Sequence, residues 1–166
     1  MTEDQLFETI LHDTYTLTDF HRRLKLLRDF LENCFFTEDS QSYSDFFKKH
    51  QISASDLEIL SSWGDNFYNS FEQENVYKIL KNLEEKIKDI PIVTVYLPLA
   101  INSPMPANIG KWFRENIKSI VLLDLKTDYS LVLGAAIVYN GIYRDFSLHY
   151  YISKYKDEIL SIIGEY

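Results

Sequence analysis

The spacing of apolar positions changes character once along this chain. From the start to about Asp89, apolar residues recur every three or four positions, the period of helices buried on one face. Thr2-x-x-Gln5 is a capping-box pattern ahead of Leu6, Phe7, Ile10 and Leu11. A second helix is predicted from near Thr18 to Phe35. It carries Phe20, Leu24, Leu27, Leu31 and Cys34 on one face, with Arg22, Arg23 and Glu32 elsewhere. The stretch TEDSQS, residues 37–42, reads as a polar loop, and a short helix then holds Tyr43, Phe46 and Phe47. Ser55-x-x-Glu58 is a second capping-box pattern, opening a helix through Leu57, Leu60 and Trp63 that Gly64 stops or kinks. Phe67, Tyr68 and Phe71 mark a further segment. The clearest helix spans about Glu74 to Asp89, with Val76, Ile79, Leu80, Leu83 and Ile87 on one face and Lys78, Lys81, Glu84, Glu85 and Lys88 mostly on the other.

Pro91 ends that regime, because it lacks an N–H and restricts Ile90. The run Ile92–Leu97 is β-branched and aromatic throughout, the pattern of a strand buried on both faces. Asn102–Pro106 is a turn-rich connection. A helix over Asn108–Asn116 would place Ile109, Trp112 and Phe113 on one side. Ile120–Leu125 reads as a second strand. Leu131–Tyr139 and Ile142–Leu148 flank Asn140-Gly141, two residues that tolerate the positive φ of a type I′ hairpin turn. Ser153–Ile163 closes the chain as an amphipathic helix. The predicted fold class is α+β: a helical bundle over residues 1–90, then a small sheet covered by helices over residues 91–166.

Composition narrows the function. The 166 residues are 46% apolar, enough to fill a core, and 15% aromatic, so some rings are left either to the core or to a partner-covered surface. The net charge of −8 argues against nucleic-acid binding and against a polybasic membrane patch. Cys34 is the only cysteine, so no internal disulfide forms, and a buried inert thiol is the expected state. The acidic start MTEDQLFETI lacks the basic and apolar regions of a secretory signal, and no window reaches the length of a membrane span.

The hairpin region carries a resemblance. The stretch DYSLVLGAAIVYNGIYRDFS, Asp128 to Ser147, resembles the C-terminal signature of the delta subunit of F-type ATP synthases, the oligomycin-sensitivity-conferring protein of mitochondria. That pattern runs Asp-Pro-Ser-Leu-Ile-Gly-Gly, a strand, a Gly-Asp turn, a second strand and Asp-Gly-Ser. Asp128, Ser130, Leu131 and Gly134 take its opening positions, Asn140-Gly141 its turn, and Asp145 and Ser147 its close. Tyr129, Leu133 and Phe146 depart from it, standing for a proline and two glycines. Val93-Thr94 and Pro98-Leu99 match the strand that ends in Pro-Leu, and Ile152 and Tyr155 match apolar positions of the terminal helix. The similarity covers roughly Val93 to Tyr166.

The search for chemistry turns up no competing motif. His12, His21, His50 and His149 show no metal-pair spacing. The five glycines form neither a phosphate loop nor a nucleophile elbow. Glu84-Glu85 and Asp157-Glu158 read as solvated helix faces. Asp145 either meets a partner or, with Ser147, bonds nearby backbone at the sheet's edge, and the structural role is preferred. Gly134 is expected inside a strand, admitting close approach of backbone.

The resemblance implies a non-catalytic peripheral-stalk subunit without cofactor, metal or small-molecule substrate. It would be cytoplasmic and attached to the membrane only through the synthase. Its helical domain would grip the N-terminal segment of an alpha subunit, and its C-terminal domain would meet the C-terminal region of the b subunits. Leu6 and Ile10, with Phe67 and Phe71, are the candidate groove residues for the alpha segment; membership of the bundle core is the alternative for all four. A stand-alone helical adaptor and a small enzyme with a dispersed site remain rival readings.

Overall fold

The computed structural model describes residues 1–36, 43–102 and 104–164. Its contacts divide the chain into two compact units, Met1–Ile90 and Pro91–Tyr166. The architecture is α+β.

The described part of the first unit is helical: α1 Glu3–His12, α2 Leu17–Phe36, α3 Tyr43–Lys49, α4 Ala54–Ser62, α5 Gly64–Tyr68 and α6 Val76–Lys86, the last ending in a 3₁₀ turn over Ile87–Asp89. The Thr2–Gln5 capping box forms in both directions, the Thr2 hydroxyl accepting from the Gln5 N–H and the Gln5 side chain from the Thr2 N–H. Leu6, Phe7, Ile10 and Leu11 are all buried, as are Phe20, Leu24, Leu27 and Leu31 of α2. Aromatic rings fill much of the core: Phe30 lies 5.5 Å from Phe46 and Phe47 and 5.3 Å from Tyr68, whose hydroxyl donates to the Leu60 carbonyl. The polar loop expected over 37–42 lies outside the described residues.

Two local expectations are corrected. The cap of α4 is Ser53, which accepts from the Asp56 N–H; Ser55 already lies inside the helix. The reason is Asp56, which sits buried beneath that first turn and anchors it. Arg23, expected on the polar side of α2, is buried too. Its guanidinium donates to Asp56 at 3.0 Å, to the Thr14 hydroxyl and to the Asp13 carbonyl, while Arg22 reaches the same carboxylate at 2.8 and 3.0 Å. A buried charge needs such a set of partners, and here it ties the α1–α2 turn, α2 and α4 together.

The second unit holds β1 Ile92–Leu97, α7 Met105–Ile117, β2 Leu122–Thr127, β3 Ala136–Tyr139, β4 Ile142–Asp145, α8 Leu148–Lys154 and α9 Lys156–Gly164. The sheet order is β2-β1-β3-β4. β1 pairs parallel with β2 across the α7 crossover, and antiparallel with β3, which pairs antiparallel with β4. Val93 and Val95 of β1, Leu123 of β2 and Phe113 of α7 form a buried core with Val121, and Ile109, Ile117 and Ile137 pack against it.

β1 is buried on one face only. Thr94 and Tyr96 share the other face with Asp124 and Lys126, which bond each other at 3.1 Å. α7 begins three residues before its predicted start, because Pro104 and Pro106 suit a helix's first turn, where no N–H is needed. Trp112, expected beside Phe113, is exposed. The strand predicted from Ile120 begins instead at Leu122. No helix among the described residues is long and apolar enough to cross a membrane.

Candidate protein-interaction surface

The stretch from Asp128 to Ser147 folds back on itself. The Asp128 carboxylate accepts from the Ser130 N–H at 2.9 Å and from its hydroxyl at 2.6 Å, forming an Asx turn that opens a 3₁₀ turn over Tyr129–Leu131. Leu131 is buried. Val132 and Gly134 then take positive φ of 56° and 95°. The strand expected from Leu131 therefore starts only at Ala136, and Gly134 lies before it rather than inside it. A Cβ at Gly134 would collide with the Phe146 carbonyl oxygen and stand 2.9 Å from the Ser147 Cα. The glycine thus lets the incoming loop lie against the outgoing end of β4. Two backbone bonds of 2.9 Å, Phe146 N–H to Ala135 and Leu148 N–H to Leu133, fasten the two segments.

Asp145 and Ser147 complete the joint. The Asp145 carboxylate accepts from the Ser147 N–H at 2.7 Å, and the buried Ser147 hydroxyl caps α8 by accepting from the Tyr150 N–H. Hydrogen bonding from Ser147, through side chain and backbone, holds the Asp145 carboxyl below its ordinary range; the Ser130 hydroxyl and N–H do the same for Asp128. Asn140 and Gly141 both have positive φ, 49° and 74°, as the hairpin turn requires. The structure therefore brings Gly134, Asp145 and Ser147 together at one chain crossing, while Asp128 and Ser130 bond each other in the turn before the buried Leu131.

Leu6, Ile10, Phe67 and Phe71 are placed differently from the groove expected of them. All are buried, none more than 4% exposed. α1 packs against α6, and the Phe67 ring lies tilted against Trp63 at 4.6 Å and Phe71 at 5.5 Å, so these side chains are consumed by the core. They offer no ridge to an incoming peptide. Among the described residues of this unit, the rings of Phe36 and Tyr77 remain open, stacked with centroids 6.0 Å apart.

An uncovered apolar stripe lies at the end of the second unit. The single terminal helix expected over Ser153–Ile163 is instead two helices, broken at Tyr155, whose φ of −107° and ψ of 20° leave the helical range. All of α8 is exposed, and so are residues 156–158 and 160–162 of α9. Leu148, Tyr151, Ile152 and Tyr155 nevertheless recur at i, i+3, i+4 and i+7, the stripe of a helix face that packs against something. They are 40–49% exposed. That stripe was legible in the sequence: Ser147 is an N-cap residue directly before it. The predicted helix start at Ser153 cut the stripe in two.

The sheet face that carries the core is covered on one half. α7 packs over β2. Beyond α7 a cavity of about 270 Å³ opens over β3 and β4. Phe113 and Ile117 of α7, Val93, Ile137, Tyr139 and Ile142 of the sheet, and Phe146 line it, with Arg144 as its charged group.

Compared with known proteins, the chain matches no family model and no curated sequence.

Proposed function

We propose that this chain is a non-catalytic stator subunit of an F-type ATP synthase, tying the catalytic head to the peripheral stalk as the delta family does. The observation that carries the reading is the uncovered stripe of α8. An amphipathic helix that leaves two-fifths or more of each stripe residue exposed is suited to lie against another helix, and the end of a stalk is made of helices. Three signature residues support the same reading, since Gly134, Asp145 and Ser147 serve to fix where α8 leaves the sheet. Under this proposal the second unit meets the C-terminal region of the b subunits and the first unit meets the N-terminal segment of an alpha subunit. The protein is cytoplasmic and reaches the membrane only through the complex. Catalysis and nucleotide stay with its partners.

The test uses the full chain and two labelled peptides from the same organism, the C-terminal region of b and the N-terminal segment of alpha. A single helical contact of this size supports a Kd of about 10 µM, close to −7 kcal/mol. The b peptide should bind in that range, and Ile152→Asp should abolish binding while the circular dichroism spectrum stays unchanged. A folded chain that binds neither peptide sinks the stator reading and leaves the stand-alone adaptor, which the same stripe would serve.

A further inference from the structure

We infer that the second unit pairs with a second copy of itself, α9 of each chain filling the half-covered sheet face of the other. The argument begins with width. Strands lie about 4.8 Å apart and a helix is about 10 Å across, so a four-stranded sheet has room for two helices on one face. α7 takes the β2 side, and the apolar cavity over β3 and β4 can seat the side chains of one more helix laid along that half. The missing element is therefore a helix with an apolar face.

Charge then selects which helix. Arg144 is the cation in an otherwise uncharged lining and makes no ion pair among the described residues. The occupant should carry a carboxylate beside its apolar ridge. α9 has that pattern: Glu158 and Ile162 are four residues apart on one face, and both are exposed. An Arg–carboxylate pair at the edge of an apolar contact would set its register.

The chain's own α9 does not fill its own cavity. The bonds from Phe146 to Ala135 and from Leu148 to Leu133, with the Ser147 cap, fix the direction in which α8 departs, and α9 follows with residues 156–158 and 160–162 exposed. Exchange between two copies keeps those bonds. It also satisfies two cavities with two helices about a two-fold axis. Electrostatics within this part of the chain do not oppose it: residues 91–166 contain seven basic and seven acidic side chains, so the whole net charge of −8 belongs to residues 1–90. The inference stands on the cavity and α9 and does not depend on the stator reading, which concerns the stripe of α8.

The experiment is sedimentation of the full chain at about 50 µM, where a pair of contacts of this kind should hold a dimer. The wild type should sediment as a dimer. Ile142→Asp in the cavity and Ile162→Asp on α9 should each sediment as monomers; both positions are exposed, so each variant should stay folded. Mixing the two variants should restore dimer, because one intact α9 meets one intact cavity. Arg144→Glu should weaken the dimer at least tenfold, and Arg144→Glu with Glu158→Arg should recover it. A monomeric wild type overturns the inference, and so does a dimer indifferent to both aspartates or a mixture that stays monomeric.

Discussion

Gly134 and Gly141 both sit at positive φ, yet they do different work. At Gly141 nothing lies within 4 Å of a would-be Cβ, so Gly141→Ala should cost only the left-handed strain, about 1 kcal/mol. At Gly134 the Phe146 and Ser147 backbone occupies the space, so Gly134→Ala adds a clash to the strain and should cost about 3 kcal/mol. Urea unfolding of the two variants separates them, and equal losses would refute the close crossing. Asp56 is the other decisive residue. Burial pushes its carboxyl up, but hydrogen bonds from Arg22, Arg23 and Ser53 outweigh burial and hold it below the usual Asp value. A depressed pKa adds stability at pH above the unfolded value of about 3.9 and loses it as pH falls through the folded value. Asp56→Asn leaves Arg23 buried without its counter-charge and should cost about 3 kcal/mol at pH 7. The penalty should shrink when unfolding is measured near pH 3, and a penalty independent of pH would count against the charged pair.

At the scale of elements, the caps and faces make separable predictions. Ser53→Ala should destabilise by about 1 kcal/mol, because Ser53 holds the first turn of α4. Ser55→Ala, inside the same helix, should lie within about 0.5 kcal/mol of wild type. Reversal of that order in thermal melts would place the cap at Ser55 after all. Phe71 and Ile152 form a second contrast. Phe71 is 4% exposed, and Phe71→Ala should cost about 3 to 5 kcal/mol as a core cavity. Ile152→Asp, on the open stripe of α8, should change stability by no more than about 0.5 kcal/mol while abolishing partner binding. Hydrophobic periodicity announces both residues in the same way, and only packing distinguishes a side chain spent on the core from one left for a partner.

For the whole molecule, the −8 charge is unevenly spread, all of it on residues 1–90. The proposed role needs no nucleotide from this chain. Calorimetry with Mg-ATP should therefore give no stoichiometric heat. A saturable signal competed by ADP would overturn the non-catalytic reading.

The amino-acid sequence by itself determined the helical character of residues 1–90, the change of regime at Pro91 and the Asn140-Gly141 turn. Each depends on forces local in the chain: an apolar period, a proline without a donor, two residues that accept positive φ. The same locality explains what was not legible. Ser55-x-x-Glu58 is as good a cap pattern as Ser53-x-x-Asp56 until Arg22 and Arg23 arrive from α2 to bury the Asp56 carboxylate. Leu131 to Ala135 is as good a strand as Ala136 to Tyr139 until the end of β4 crosses at Gly134. Leu6, Ile10, Phe67 and Phe71 have the spacing of an open ridge until α6 and the aromatic core close over them. Tertiary structure alone decided which apolar faces are spent, because burial is a property of neighbours distant in sequence, and it left the α8 stripe and the β3–β4 half of the sheet face open.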